Sequence, residues 1–240
     1  MSDQPQIVSR FCRYQIARSA SPEQTAYQLS KFEYNTWSFA PTNASVSYKT
    51  CFLGRSLLLD PVQLTELFSS VECERIVAIA HAGIFRDSEL IGSTRSDAVR
   101  LAQTSWLDEE GTAKWIFNRL LEAFAQSNRE HFDFKLDEFA ERMQVAWYGA
   151  EAGAFFDWHS DVGTSSVASR RKLTMVVQLS EAKSYLGGQL ETNADGHIRA
   201  ASRCIGSALV IPSFMLHRVR PVSHGSRYSL TLWSHGPAFQ

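Results

Sequence analysis

The feature that most constrains this chain is a train of short strand signals in its second half. Beyond Gln144 the segments VAWY, FFDWHSD, KLTMVVQLS, GGQLET, SALVIP, HRVRPV and YSLTLW follow one another, separated by Gly, Pro, Ser, Asn and Asp. Many short strands at roughly even spacing, divided by turn formers, specify an antiparallel sandwich or barrel.

The stretch before that train has a different period. In LDPVQLTELFSSVECERIVAIAHAG, apolar residues recur at Leu64, Leu67, Phe68, Val71, Ile76, Val77 and Ile79, close to helical spacing, and Gly83 can end the run. In EEGTAKWIFNRLLEAFAQSNREHF, residues Trp115, Phe117, Leu120, Leu121 and Phe124 form a second apolar helical face. Residues 1–55 differ again, because short apolar pieces alternate there with the turn-rich SASPEQ and APTNAS. They predict an N-terminal extension of short strands and loops packed on the main body, since Tyr27, Phe32, Tyr34, Trp37 and Phe39 are too many aromatics for a disordered tail. The expected organisation is an extension over 1–55, then a main domain over 56–240, helical over about 60–128 and all-β over about 132–240. The fold class is α+β, mainly β, with N-terminal helices flanking a double-sheet core.

Composition narrows the function classes. A formal net charge of −1 predicts no bulk attraction to nucleic acid or to an anionic membrane. No apolar run approaches the roughly 20 residues of a membrane helix, and the N-terminus lacks the apolar core of a secretory signal. Cys12, Cys51, Cys73 and Cys204 are scattered, without zinc-ligand spacing or a disulfide framework. A reduced, cytoplasmic setting is expected, and Cys204, just before an apolar run, reads as a small core residue. No oligomeric state is assigned.

The candidate site starts at FFDWHSDVG, where His159 and Asp161 stand two positions apart in a strand-like run. His-x-Asp alone is weak, and the chain carries a control: His131-Phe132-Asp133 has the same form. There Phe132, Phe134 and Leu136 alternate with polar residues, so period two gives a core face and a solvated face. Around His159 the alternation predicts Phe156 and Trp158 on one face. Phe155, Asp157, His159 and Asp161 fall on the other, which is too polar for a core and too aromatic for plain surface. A second histidine would complete the two-His-one-carboxylate arrangement that holds non-haem Fe(II) with positions left open. His217 is the candidate, since it follows the buried run GSALVIPSFML and its Pro-Ser turn. Ten residues on, Arg227 opens RYSLTLW, in which Tyr228, Leu230 and Leu232 alternate with Arg227, Ser229 and Thr231. A guanidinium fork beside hydroxyls is a ready receptor for a carboxylate. His81, His131, His197 and His224 have no such context, and His235 is assigned to the surface or to local hydrogen bonding.

Together these residues resemble the Fe(II)/2-oxoglutarate-dependent dioxygenase superfamily. WYGAEAGAFFDWHSDVG, RKLTMVVQLSEAKSYLGGQLE and RVRPVSHGSRYSLTLWSHGP are similar to its prolyl 4-hydroxylase-like branch, in particular the bacterial PKHD-type hydroxylases. The resemblance covers roughly residues 60–240 and implies a double-stranded β-helix, or jelly roll. It implies His159, Asp161 and His217 as iron ligands, Arg227 and Ser229 as contacts to 2-oxoglutarate, and Tyr148 as a further contact or a core tyrosine. Trp158 is expected to be a packing residue, and Gly187 and Gly188 a turn. The implied cofactors are Fe(II), 2-oxoglutarate and O2, with ascorbate as a candidate reductant and succinate and CO2 as co-products. Family members that halogenate replace the carboxylate with a small residue, so retention of Asp161 implies hydroxylation, or a desaturation or cyclisation. The implied partner is a small-molecule or peptide substrate, amino-acid-like or a specialised metabolite. A non-catalytic sensor on the same fold is the alternative, and a nucleobase demethylase is disfavoured by the absence of a basic stripe.

Overall fold

Thirteen strands and two α-helices are found in the described part of the molecule, residues 60–87 and 100–239 of a computed structural model. The expected extension over residues 1–55 lies outside the described residues. The order is β1 (Val62–Leu64), α1 (Ser70–Ala82), β2 (Arg86–Asp87), β3 (Arg100–Leu101), β4 (Gln103–Leu107), α2 (Lys114–Ser127), β5 (Met143–Gly149) and β6 (Phe155–His159). Then come β7 (Arg171–Gln178), β8 (Tyr185–Gly187), β9 (Leu190–Asn193), β10 (Ile198–Ala200), β11 (Ala208–Pro212), β12 (Leu216–Val219) and β13 (Val222–His235). One sheet runs β1-β11-β7-β13-β5-β4-β2, with β8 pairing to β13, and the second runs β10-β9-β12-β6-β3. This is the antiparallel jelly roll flanked by helices that the strand train and the resemblance predict.

Two apolar clusters show how the layers stack. The first joins Ile76, Ile116, Phe117, Leu120 and Phe124 of the helices to one face of the larger sheet. The second lies between the sheets and includes Ala146, Tyr148, Val176, Leu190 and Val219. Strand β7 serves both, because a strand sends alternate side chains to opposite faces. Leu173, Met175 and Val177 pack under the helices, and Val176 belongs to the inter-sheet cluster. β13 behaves likewise: Leu230 and Leu232 enter the helix-side core, while Ser229, Thr231 and Trp233 line the space between the sheets. The alternation expected of RYSLTLW therefore holds.

Elsewhere the local code overrides the period. The first helix begins at Ser70, because Ser69 accepts from the Glu72 N–H and the Glu72 carboxylate accepts from the Ser69 N–H, a reciprocal cap. Leu64, which sits at helical spacing, belongs instead to β1 and pairs with Ala208, and Val71 is 71% exposed. Residues 128–132 form a π-helical turn, so HFDF is not the alternating strand expected there. His131 is nonetheless partly exposed beside Glu130, and Phe132 is buried. Cys204 is exposed, because the core run starts only at Ala208, after the turn at Gly206.

Gly206 holds that turn at φ +77°, where a Cβ would stand 1.7 Å from the Phe68 carbonyl oxygen. Its own carbonyl accepts from the Phe68 N–H, tying the turn to the entrance of α1. Gly206→Ala combines left-handed backbone strain with a backbone clash, so a loss of roughly 3 kcal/mol is expected. The urea midpoint, read at unchanged m value, measures it.

Candidate metal centre

His159 is the last residue of β6, and its orientation comes from a bulge. His217 pairs with His159 and Val219 with Phe156, so one extra residue on β6 lies between the two pairs. Strict alternation fails there. Phe156, not Phe155, shares the inner face, stacked on the His159 ring at 3.4 Å between centroids. Asp157 turns outward, and its backbone carbonyl accepts from His159 Nδ1 at 2.7 Å. Trp158 packs away from the cavity, with Arg218 over its ring.

Asp161 lies past the end of β6 in a bend, where its N–H donates to the Ser213 carbonyl at 2.8 Å. The tether runs to the turn joining β11 to β12, so the Pro-Ser turn that delivers His217 also places Asp161. His217 Nδ1 in turn donates to the Met215 carbonyl at 2.9 Å. With both Nδ1 atoms occupied as donors, Nε2 is the nitrogen that each ring turns toward the interior. His159 Nε2 lies 3.6 Å from Asp161 Oδ1 and His217 Nε2 lies 3.5 Å from Asp161 Oδ2. Donor atoms of the three residues all fall within 4.8 Å of one another, a spacing that suits one shared cation.

The electrostatics set the protonation states a metal needs. Burial, reinforced by the neighbouring His217, pushes the His159 imidazole down to about 3, so it is neutral near pH 7. For Asp161, burial opposes ionisation. The two imidazoles, Arg171 and the Thr174 hydroxyl outweigh it and hold the carboxyl well below the usual range.

A layer of residues that sequence reasoning missed fixes Asp161. Its Oδ2 accepts from Thr174 Oγ1 at 2.7 Å and from Trp233 Nε1 at 3.0 Å, and its backbone carbonyl accepts from Arg171 at 3.0 Å. Arg171 is clamped by both Glu141 oxygens, and Glu141 also accepts from His235 Nε2 at 3.0 Å. His235 is fully buried, which corrects the surface half of its assignment; the hydrogen-bonding half holds, through the Ala140 N–H and Glu141. Signals for two of these residues were present. Trp233 continues the 227-229-231 face of β13, and Thr174 is a polar residue in an otherwise apolar buried run.

The cavity between the sheets holds about 890 Å³ and contains His159, Asp161, His217, Ser229 and Tyr148 on its walls. Arg227 is 1% exposed and lies beside it, on a small void that shares Val176 and Leu190 with the cavity wall. Its Nε donates to Gln178 at 3.1 Å and Nη1 has no partner, while the guanidinium sits 5.5 Å from the Tyr148 ring centre. Gly187 and Gly188 form the expected turn at φ +75° and +60°, and a Cβ on Gly188 would press on Arg227 Cδ at 3.1 Å. The turn therefore also makes room for the guanidinium.

Fold and cavity place a candidate metal centre inside a jelly roll, and comparison with known proteins points to oxygenases. Residues 143–235 match the profile of the 2OG-Fe(II) oxygenase superfamily. A PKHD-type hydroxylase of Synechococcus elongatus is 27% identical over 184 residues, covering 73% of this chain and 74% of the relative. One from Colwellia psychrerythraea is 25% identical over 180 residues, covering 73% and 78%. In fold, the chain resembles a Pseudomonas putida prolyl-4-hydroxylase, with 22% identity, TM-score 0.59 and coverage of 74% and 92%. It also resembles a Trichoplax adhaerens prolyl hydroxylase in complex with a hypoxia inducible factor peptide fragment, with 16% identity, TM-score 0.63 and coverage of 79% and 93%. The match over residues 143–235 and the PKHD-type hydroxylase relatives together indicate a 2-oxoglutarate-dependent iron hydroxylase, and the prolyl hydroxylase neighbours share its fold. Among the described residues no helix is long and apolar enough to cross a membrane.

Proposed function

We propose that His159, Asp161 and His217 hold the Fe(II) of this hydroxylase, and that Arg227, Ser229 and Tyr148 receive 2-oxoglutarate. One observation carries the reading: both imidazoles spend Nδ1 on backbone carbonyls and turn Nε2 toward one carboxylate. Asp161 has Oδ1 left for a cation after Oδ2 accepts from Thr174 and Trp233. Two imidazole nitrogens and one carboxylate oxygen suit ferrous iron and leave coordination positions open. The unpartnered Nη1 of Arg227 is a buried donor awaiting an acceptor, which the distal carboxylate of 2-oxoglutarate supplies. When bound, iron, 2-oxoglutarate and O2 supply the oxidation of an aliphatic C–H, with succinate and CO2 as co-products. The chain orients the iron and both substrates and shelters the reacting centre between the sheets. The Thr174 and Trp233 donors keep Asp161 ionised and aimed.

The substrate on this reading is amino-acid-like, peptidyl or a specialised metabolite, and the reaction a hydroxylation in the cytoplasm. The peptide complex of the Trichoplax neighbour supports a peptidyl or amino-acid-like ligand. On this reading the catalytic domain lies within the expected span 56–240; the expected extension over 1–55 lies outside the described residues. Anaerobic addition of Fe(II) and 2-oxoglutarate to the purified chain is expected to give a weak visible charge-transfer band. Its absence would overturn the assignment in favour of a non-catalytic module. With the band in hand, a screen of amino acids, peptides and extract for 2-oxoglutarate consumption and gain of one oxygen atom identifies the substrate.

A further inference from the structure

The cavity wall carries a buried cation that the reading above leaves without a task. Arg100, on the short edge strand β3, is 8% exposed. Its Nη2 donates to Gln144 Oε1 at 2.9 Å, and its Nε has no partner. Among the described residues no carboxylate lies within ion-pair distance of it. Burying a guanidinium without a counter-ion is costly, so such a group is kept where an anion arrives from outside.

Two of the other three arginines of the wall are already engaged, and the third is solvent-exposed. Arg171 is clamped by Glu141, and Arg142 faces Asp108 at 3.5 Å. Arg86 is exposed on the edge strand β2. Arg100 is instead aimed by its surroundings. Its guanidinium lies 4.6 Å over the Phe156 ring, and Phe156 stacks on His159. Arg100 is thus separated from the proposed iron ligand by one aromatic ring. It reaches the cavity from the smaller sheet, whereas Arg227 approaches from the larger one.

We propose that Arg100 is a specificity-determining residue that binds a carboxylate of the substrate, so that the enzyme takes an acid rather than its amide. The proposal rests on the hydroxylase reading and adds the chemical class of the second ligand. Phe156 fixes the guanidinium plane, Gln144 holds one edge of it, and Nε and the remaining donors meet the incoming carboxylate. An amide in that position would place its own N–H groups against the guanidinium and leave the buried charge unpaired.

The test uses the full chain loaded with Mn(II) and 2-oxoglutarate, and follows the fluorescence of the cavity tryptophans Trp106 and Trp233. The probes are a panel of N-acetyl amino acids, each titrated beside its primary amide. At least one acid is expected to bind about tenfold or more tighter than its amide, the scale of a charge-assisted pair. Arg100→Gln should remove that preference and Arg100→Lys should keep part of it, while 2-oxoglutarate affinity stays within about twofold of the parent, the margin of an uninvolved site. Retained 2-oxoglutarate affinity also shows that the variants fold. Equal binding of acids and amides by the parent chain, or failure of every acid to bind, overturns the proposal. A loss of 2-oxoglutarate affinity in Arg100→Gln as large as that in Arg227→Ala also overturns it, by giving Arg100 to the co-substrate. Loss of the anaerobic iron band would instead strike the hydroxylase reading itself.

Discussion

His217→Ala is expected to abolish both iron retention and succinate formation, with His159→Ala equally dead and His131→Ala close to the parent. His131 provides the comparison because it sits in the same His-x-Asp pattern, yet its ring is partly exposed in the turn after α2, beside Glu130. His217 is 4% exposed and shares Asp161 with His159. Removing either inner imidazole leaves two of the three proposed ligands around a buried carboxylate, whereas removing His131 costs a solvated contact. Iron content after gel filtration and succinate release are the two readouts. A graded result tests the supporting layer in the same assay. Thr174→Val deletes one of two donors to Asp161 Oδ2 while keeping shape, and metal affinity should fall about 10- to 100-fold with the fold intact. Iron retained by His217→Ala, or an inactive His131→Ala, would mean that the wrong pair had been chosen.

Arg227→Ala should raise the 2-oxoglutarate concentration for half-saturation roughly 100-fold, the cost of a carboxylate losing a buried charged partner. The iron site should still load, because Arg227 makes no contact with the three proposed ligands. Arg227→Lys separates charge from geometry. An ammonium keeps the charge but cannot present two parallel N–H groups, so an intermediate loss of about tenfold is expected. The location of Arg227 makes the prediction sharp. The side chain opens onto a void of about 10 Å³ that shares Val176 and Leu190 with the main cavity, so a co-substrate carboxylate is expected to reach it from that wall. An unchanged 2-oxoglutarate requirement would assign the carboxylate to another cation, and Arg100 is the nearest alternative in kind.

Sequence and structure divide the account of this protein along a physical line. Short-range periodicity and residue chemistry sufficed for an antiparallel double-sheet core, which the family resemblance narrowed to a jelly roll, for α2 with its buried Phe117, Leu120 and Phe124, and for the inner face of β13. Residue types and spacing also drew attention to His159, Asp161, His217 and Arg227, although the bulge in β6 and the bend at Asp161, not strand alternation, set where the first two face. The start of α1 went astray because a reciprocal cap at Ser69 outweighs apolar spacing. The face of Phe156 was misassigned because a bulge depends on the partner strand β12, which no local period encodes. What only the tertiary structure decided is everything that depends on distant chain segments meeting. This includes the Ser213 carbonyl that anchors Asp161, the Thr174 and Trp233 donors that aim it, and the burial of His235 against Glu141. It also includes the position of Arg100 across the cavity from Arg227. Each is a contact between residues far apart in sequence, whose strength comes from exclusion of water, and water is excluded only once the two sheets have closed on each other.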